Sequence, residues 1–155
     1  MPRRKSVNND GGAAYNFPTR ELAQAAAAGA ADGALRILLE IQTEIVNNLR
    51  RPGTGIRYAG QPTRSSAPGR PPAAQTGSLR NSWQTGKPSK RIAGSRIAWA
   101  IGSALPYARL EYGFGRALPR PYIAPSIRTV KPRVKKIMNA YVASAIRKAF
   151  PGMKR

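Results

Sequence analysis

The chain has no cysteine and no histidine. The first absence removes disulfides and thiolate nucleophiles, and the second removes the commonest general base and transition-metal ligand at neutral pH. Acid is scarce too, with six Asp and Glu against 27 Lys and Arg. Glu111 alone lies beyond position 44, so paired carboxylates for hydrolysis or a two-metal site could come only from the first third of the chain. Glu40 and Glu44 are four apart, on one face of a helix, and are expected to be solvated or paired with arginine. Gly113-Phe114-Gly115 lacks the further glycines and preceding strand of a phosphate loop. An enzyme is not expected, nor a cofactor or a metal site. No uninterrupted apolar run reaches the roughly 18 to 20 residues that cross a bilayer, and no apolar signal-peptide core follows the basic start Met1 to Lys5. A membrane is therefore not among the expected partners.

What is present is positive charge, unevenly placed. Five of the 27 bases precede position 46, as do five of the six acids. Residues 46–155 therefore hold 22 bases and Glu111. Self-repulsion at this density disfavours a compact free monomer, and points to a polyanion or an acidic protein surface as neighbour.

A length of 155 residues suits one domain, with a modest core because 15 glycines and 14 prolines leave much of the chain as loop. The expected division is a basic N-terminal arm (1–18), a single α+β domain (19–150) and a basic tail (151–155). A long helix is predicted over Thr19 to Leu49, with Glu21 in its first turn and Arg50-Arg51-Pro52-Gly53 at its end. Leu38, Ile41, Ile45 and Leu49 form its apolar stripe, and the small residues Ala25 to Gly29 permit close approach of another element. Residues 53–77 read as an extended Pro/Gly-rich arm, with a short strand possible at Ile56 to Tyr58. Residues 90–102 alternate as strands around Gly94-Ser95 and predict an antiparallel sheet of two to four strands. A short helix is predicted over Leu105 to Gly113, presenting Tyr107, Leu110 and Glu111 together, then a helical turn over Ala124 to Thr129. Pro132 opens a last amphipathic helix of about five turns, with Val134, Ile137, Met138, Tyr141, Val142, Ala145, Ile146 and Ala149 on its core-facing side. The architecture expected is a long N-terminal helix and a C-terminal amphipathic helix packed on a small antiparallel sheet, with extended arms and loops.

The most ordered signal is Ser66 to Trp83. Pro68, Pro71 and Pro72 fix their own φ and extend the residue before each, while Gly69 allows a turn, so a stiff extended arm is expected. Thr76 or Ser78 can accept from the orphan N–H groups of a following helix that ends near Gly86 and Pro88, with Leu79 and Trp83 on one face. Further on come Gly102-Ser103, Pro106-Tyr107-Ala108, Leu110-Glu111-Tyr112-Gly113 and Arg120-Pro121-Tyr122-Ile123-Ala124-Pro125-Ser126.

That succession, from about Ala67 to Phe150, resembles the neck proteins of tailed bacteriophages, the tail-completion or head-tail joining family of the minor tail protein Z type. Its members read Pro-Gly-x-Pro-Pro, Thr-Gly-x-Leu-x-x-Ser, Gly-Ser, Tyr-Ala-x-x-x-Glu-Phe-Gly-Thr and Arg-Pro-Phe before a helix. Phe114 here replaces the small polar residue, and Tyr112 and Tyr122 stand where phenylalanine is common. The resemblance implies a small α+β subunit of a virion, assembled in the host bacterial cytoplasm into a homo-oligomeric ring, six subunits being the expected order. Other neck and tail proteins would be its partners, and non-specific phage DNA would pass through its channel. Pro68, Gly69, Pro71, Pro72, Thr76, Gly77, Leu79, Tyr107, Glu111, Gly113 and Pro121 are the expected inter-subunit arm and motif residues. For Glu111 two roles stand open: an inter-subunit salt bridge or cap, or a pair within the subunit with Arg109 or Arg116. Arg91, Arg96 and Arg116 are the expected DNA-facing bases. A stand-alone basic nucleic-acid-binding protein is the alternative, and a membrane-active basic protein a weaker third.

Overall fold

A computed structural model describes residues 19–61, 63–74, 76–86, 99–113 and 115–152. The expected N-terminal arm, the last residues of the tail and most of the strand-like stretch 90–102, including Arg91 and Arg96, lie outside the described residues. In order, the elements are helix α1 (Thr19–Asn48), the one-turn helix α2 (Ser78–Asn81) and strands β1 (Gln84–Thr85) and β2 (Ile101–Gly102). A 3-10 helix (Pro106–Glu111), helix α3 (Ile123–Val130), a 3-10 turn (Lys131–Arg133) and helix α4 (Val134–Ala149) follow. The fold mixes helices with a small two-stranded antiparallel sheet, in register Gln84 to Gly102 and Thr85 to Ile101.

Alanine and leucine over 30 residues, without an internal proline, suit α1 to a long uninterrupted helix. Over an 18-residue window its mean hydropathy reaches 1.2, so α1 is long and apolar enough by composition to cross a membrane, contrary to the sequence expectation. Alanines raise that mean without forming the unbroken bulky run that the sequence reading sought, and Asp32 and Arg36 interrupt the stretch. One face of the helix is instead taken by α4. A Cβ placed on Gly29 would lie 2.8 Å from the Tyr141 carbonyl, the Val142 Cα and the Ala145 Cβ. The two backbones touch here because Gly29 has no side chain, as the small-residue run predicted. Further along, Arg133 reaches back to Glu40 at 3.1 Å and Glu44 at 3.7 Å, while Arg36 pairs with Glu40 at 3.4 Å. The Glu40 and Glu44 carboxylates are thus arginine-paired.

The core sits at the C-terminal end of α1, where Ile45, Leu49, Trp83 and Tyr122 pack together and Ile41, Leu79, Ile101 and Ile123 close around them. Trp83 meets Tyr122 edge to face at 5.8 Å. Such a pair contributes about 0.5–1.5 kcal/mol beyond the area it buries. Gln42 binds the sheet to α1: its amide donates to the Trp83 carbonyl at 2.9 Å and its oxygen accepts from the Thr85 hydroxyl at 2.6 Å.

Four sequence expectations need correction. The helix after Thr76 stops at Asn81 instead of near Gly86, because the chain turns at Ser82 and enters β1. α3 and α4 meet through the 3-10 turn that holds Pro132, so the proline lies in the junction and not in the first turn of α4. No residue of α4 is fully buried: its apolar side packs chiefly on α1, a single helix, which leaves Ile137, Met138 and Val142 half-buried. Ile56 to Tyr58 is not a strand, although Gly55 donates to the Ser65 carbonyl at 2.7 Å and Ser65 to the Ile56 carbonyl at 2.9 Å, holding Gly55 and Ile56 against Ser65.

Candidate functional site

The motifs singled out in the sequence meet around the start of α3. Pro106 sets the φ that opens the 3-10 helix, which ends where Gly113 takes φ +91° and its N–H bonds the Leu110 carbonyl. Along it Tyr107 and Leu110 turn toward a groove, whereas Glu111 turns inward and is buried. The three are therefore not presented together, because a tighter 3-10 turn separates positions that an α-helix would align.

Within the subunit Glu111 takes a role other than the expected pair with Arg109 or Arg116. Its carboxylate accepts from the backbone N–H groups of Tyr122 at 2.6 Å, Ile123 at 2.8 Å and Ala124 at 3.0 Å. These are orphan donors at the beginning of α3, whose own N-cap, Tyr122, supplies no side-chain acceptor. The lone acid is a cap within the subunit, favoured further by the positive end of the helix dipole. No pair with Arg109 or Arg116 occurs among the described residues. Pro121, half-buried, leads directly into the capped turn.

Tyr122 is fully buried and donates its hydroxyl to the Ala108 carbonyl at 2.8 Å. Burial, then the charge of Glu111, then Tyr112, push its phenol well above the ordinary value of 10.0. One turn on, Ser126 donates to the Tyr122 carbonyl at 2.6 Å and accepts from the Asn48 amide at 2.8 Å, closing a buried polar link between α3 and α1.

The proline arm is tied to this same centre. Pro68 and Gly69 occupy the middle of a turn closed by Arg70 N–H to the Ala67 carbonyl at 3.1 Å, and Gly69 has φ +75°. Proline second and a positive-φ glycine third suit a type II turn. The arm therefore bends at Pro68-Gly69 instead of running straight, a correction that follows from the same two residues. Arg120 donates to the Ser66 carbonyl at 2.7 Å and to its hydroxyl, and Gly69 N–H reaches the Pro119 carbonyl at 3.3 Å. Beyond the bend Pro71 is half-buried and Pro72 buried. Thr76 then accepts from Ser78 N–H at 3.3 Å while Gly77, at φ +78°, starts α2. Its Leu79 packs on the core, and Ser82, just past α2, shares a 2.6 Å hydroxyl pair with Ser103. A groove of about 510 Å³ opens beside the arm, walled by Ser66, Pro72, Thr76, Leu79, Tyr107 and Arg120.

Arg116 stands exposed on the turn after Gly115. Sequence reasoning gave no role to Arg120 or Ser82, although both stand in its motifs, and did not single out Asn48 or Gln42. Asn48 had a signal, a polar residue three after Ile45 and one before Leu49 on the apolar stripe. Among the described residues no three Asp, Glu, His or Cys side chains converge to hold a metal ion. No family model, curated protein or solved structure matches the chain.

Proposed function

We propose that this chain is a structural subunit of a tailed-phage neck, a tail-completion or connector protein that forms a ring joining head to tail around the DNA. One observation carries the reading: the motifs that bear the resemblance are bonded to one another in space. Glu111 of the Glu-aromatic-Gly motif caps the helix begun by Arg-Pro-Tyr. Arg120 of that second motif holds Ser66 at the foot of the proline arm, and Ser82 of Leu-x-x-Ser holds Ser103 of Gly-Ser. Residues scattered over more than fifty positions are thus joined by several polar ties that position a groove and a bent arm, an arrangement that supports a scaffolding role.

Exposed apolar side chains support association. Ile56 and Tyr58 are 68% and 58% exposed, and Tyr112 and Leu118, in the segment that links the 3-10 helix to α3, are 82% and 60% exposed. Large apolar groups left in water on a chain of net charge +21 are contact residues for neighbours. In a head-to-tail ring one such patch meets a different surface of the next copy, and the closed rotation leaves none free. Partners, location in the virion and passage of DNA belong to this same proposal.

Negative-stain electron microscopy of the purified full chain, with its mass by light scattering, tests it. Closed rings are the expected result. A protein that stays monomeric at every concentration and binds DNA would overturn the neck reading in favour of a free-standing nucleic-acid-binding protein.

A further inference from the structure

The outer side of the α3 to α4 segment carries cations that form no ion pair among the described residues. Arg128, Lys131, Lys135, Lys136, Arg147 and Lys148 are all exposed. The chain has no acid after Glu111. Glu111 itself is turned inward beneath three backbone N–H groups. Across the helix pair, Glu40 and Glu44 are both engaged by Arg133.

The direction of these charges is set by the packing of α4. Its inner side is defined by Met138, Tyr141, Val142 and Ala145, which crowd Gly29 and Gly33 of α1. At about 100° per residue, Lys136 and Arg147 point away from that contact. Eleven residues apart, they fall on one line, separated by about 16 Å at ~1.5 Å per residue. Lys135 and Lys148 project to either side of the helix, roughly 110° from that line and nearer the edges of the α1 contact. Between the ends of the line lie the exposed small residues Ala140 and Ala143, so the surface between the cations is low and free of bulky apolar groups.

We propose that this face is the subunit's contact for the sugar-phosphate backbone of duplex DNA. The inference rests on the DNA-contact part of the function proposed above and gives it a surface other than that of Arg116. An acidic protein partner would be met by cations around a bulky apolar anchor, which the outer line of α4 lacks. A lipid surface would take the apolar side of an amphipathic helix, and that side of α4 lies against α1. Lys136 and Arg147, with small residues between them and further exposed lysines beside them, present charge without an apolar anchor, which suits phosphates.

The test uses the full chain and a short fluorescently labelled duplex of random sequence, with binding followed by anisotropy as salt rises from about 50 to about 200 mM. One variant combines Lys131→Gln, Lys135→Gln, Lys136→Gln and Arg147→Gln. The control removes as many exposed charges elsewhere: Arg20→Gln, Arg50→Gln, Arg57→Gln and Arg109→Gln. For each phosphate that is no longer neutralised, the slope of log affinity against log salt should shrink by about 0.9, so the helix variant should lose up to about 3.6 and the control less than about one. Equal losses in the two variants would overturn the proposal, because the attraction would then belong to net charge and to no particular face. If the fourfold variant fails to melt cooperatively, the pair Lys136→Ala and Arg147→Ala, both on the solvent side, replaces it with about half the expected loss. Vesicles of phosphatidylserine and phosphatidylcholine are the second probe. Loss of vesicle binding in the helix variant with an unchanged DNA slope would overturn DNA as the occupant. Failure of the ring reading is separable: a helix-dependent slope without rings supports this surface and counts against the neck, whereas rings with an unchanged slope do the reverse.

Discussion

Glu111 accepts from three successive N–H groups, and a side chain that kept its shape but lost its charge would expose how much of α3 depends on it. Glu111→Gln puts an NH2 donor against N–H donors and weakens the remaining bonds, so it should destabilise the fold by about 1–3 kcal/mol, read by urea or thermal unfolding. A change within about 0.5 kcal/mol would mean that water replaces the cap without loss. Tyr122 next to it gives a pH dependence. The folded state prefers the neutral phenol, since burial and Glu111 raise its ionisation well above 10.0. The stability this contributes is intact below pH 10 and is lost as pH climbs above it, because the unfolded phenol ionises first. The expected result is a melting temperature that falls above that pH, together with a rise of tyrosinate absorbance that coincides with unfolding. In Tyr122→Phe that coincident rise should shrink, and the variant should be less stable at neutral pH through loss of the bond to Ala108.

At the scale of elements, the α1 and α4 contact separates two glycines that sequence alone treats alike. In an exposed helix, Gly→Ala stabilises by about 0.5–1 kcal/mol. A Cβ at Gly29 would stand 2.8 Å from backbone atoms of α4, which cannot step aside singly, whereas at Gly33 the nearest atom, at 3.1 Å, is the Met138 sulfur on a flexible side chain. Gly29→Ala should therefore destabilise by about 1–3 kcal/mol and Gly33→Ala by much less, with helix propensity offsetting the crowding. Equal melting temperatures for the two would show that the helices simply move apart. The bond between Asn48 and Ser126 also acts at this scale, fastening the short α3 to the end of α1 beside the apolar core.

For the whole molecule the question is what the bent arm contributes to the proposed ring when its own subunit already holds it at Ser66 through Arg120 and, just beyond it, at Leu79 through the core. Pro68, Pro71 and Pro72 lower the entropy lost when the segment docks, and the Arg120 to Ser66 bond fixes the angle at which it leaves the core. Replacing all three prolines with glycine should leave the helical circular-dichroism signal nearly unchanged and weaken assembly measured by light scattering. Unaltered assembly would make the segment a surface loop of the subunit and remove it from the proposed interface.

Much of the architecture is legible from periodicity and breakers. The alanine- and leucine-rich pattern between Pro18 and Pro52 specifies α1 to within a residue of its end, because local propensity over that length outweighs any competing contact. The apolar side of α4 and the Arg36 to Glu40 pair are equally local, resting on spacing along one helix, whereas Arg133 reaching Glu40 and Glu44 and α4 meeting Gly29 depend on how the end of the chain returns to α1. Tertiary structure alone decided the rest. That Glu111 faces inward to cap α3 depends on a 3-10 turn and on a helix start eleven residues away, and an acid followed by an aromatic and a glycine is compatible with several partners. The arm bends where proline and glycine allow it, but Arg120, more than fifty positions from Ser66, chooses what it bends toward. Hydrogen bonds between distant side chains need both partners placed to within tenths of an ångström, and no pattern in a linear chain carries that precision.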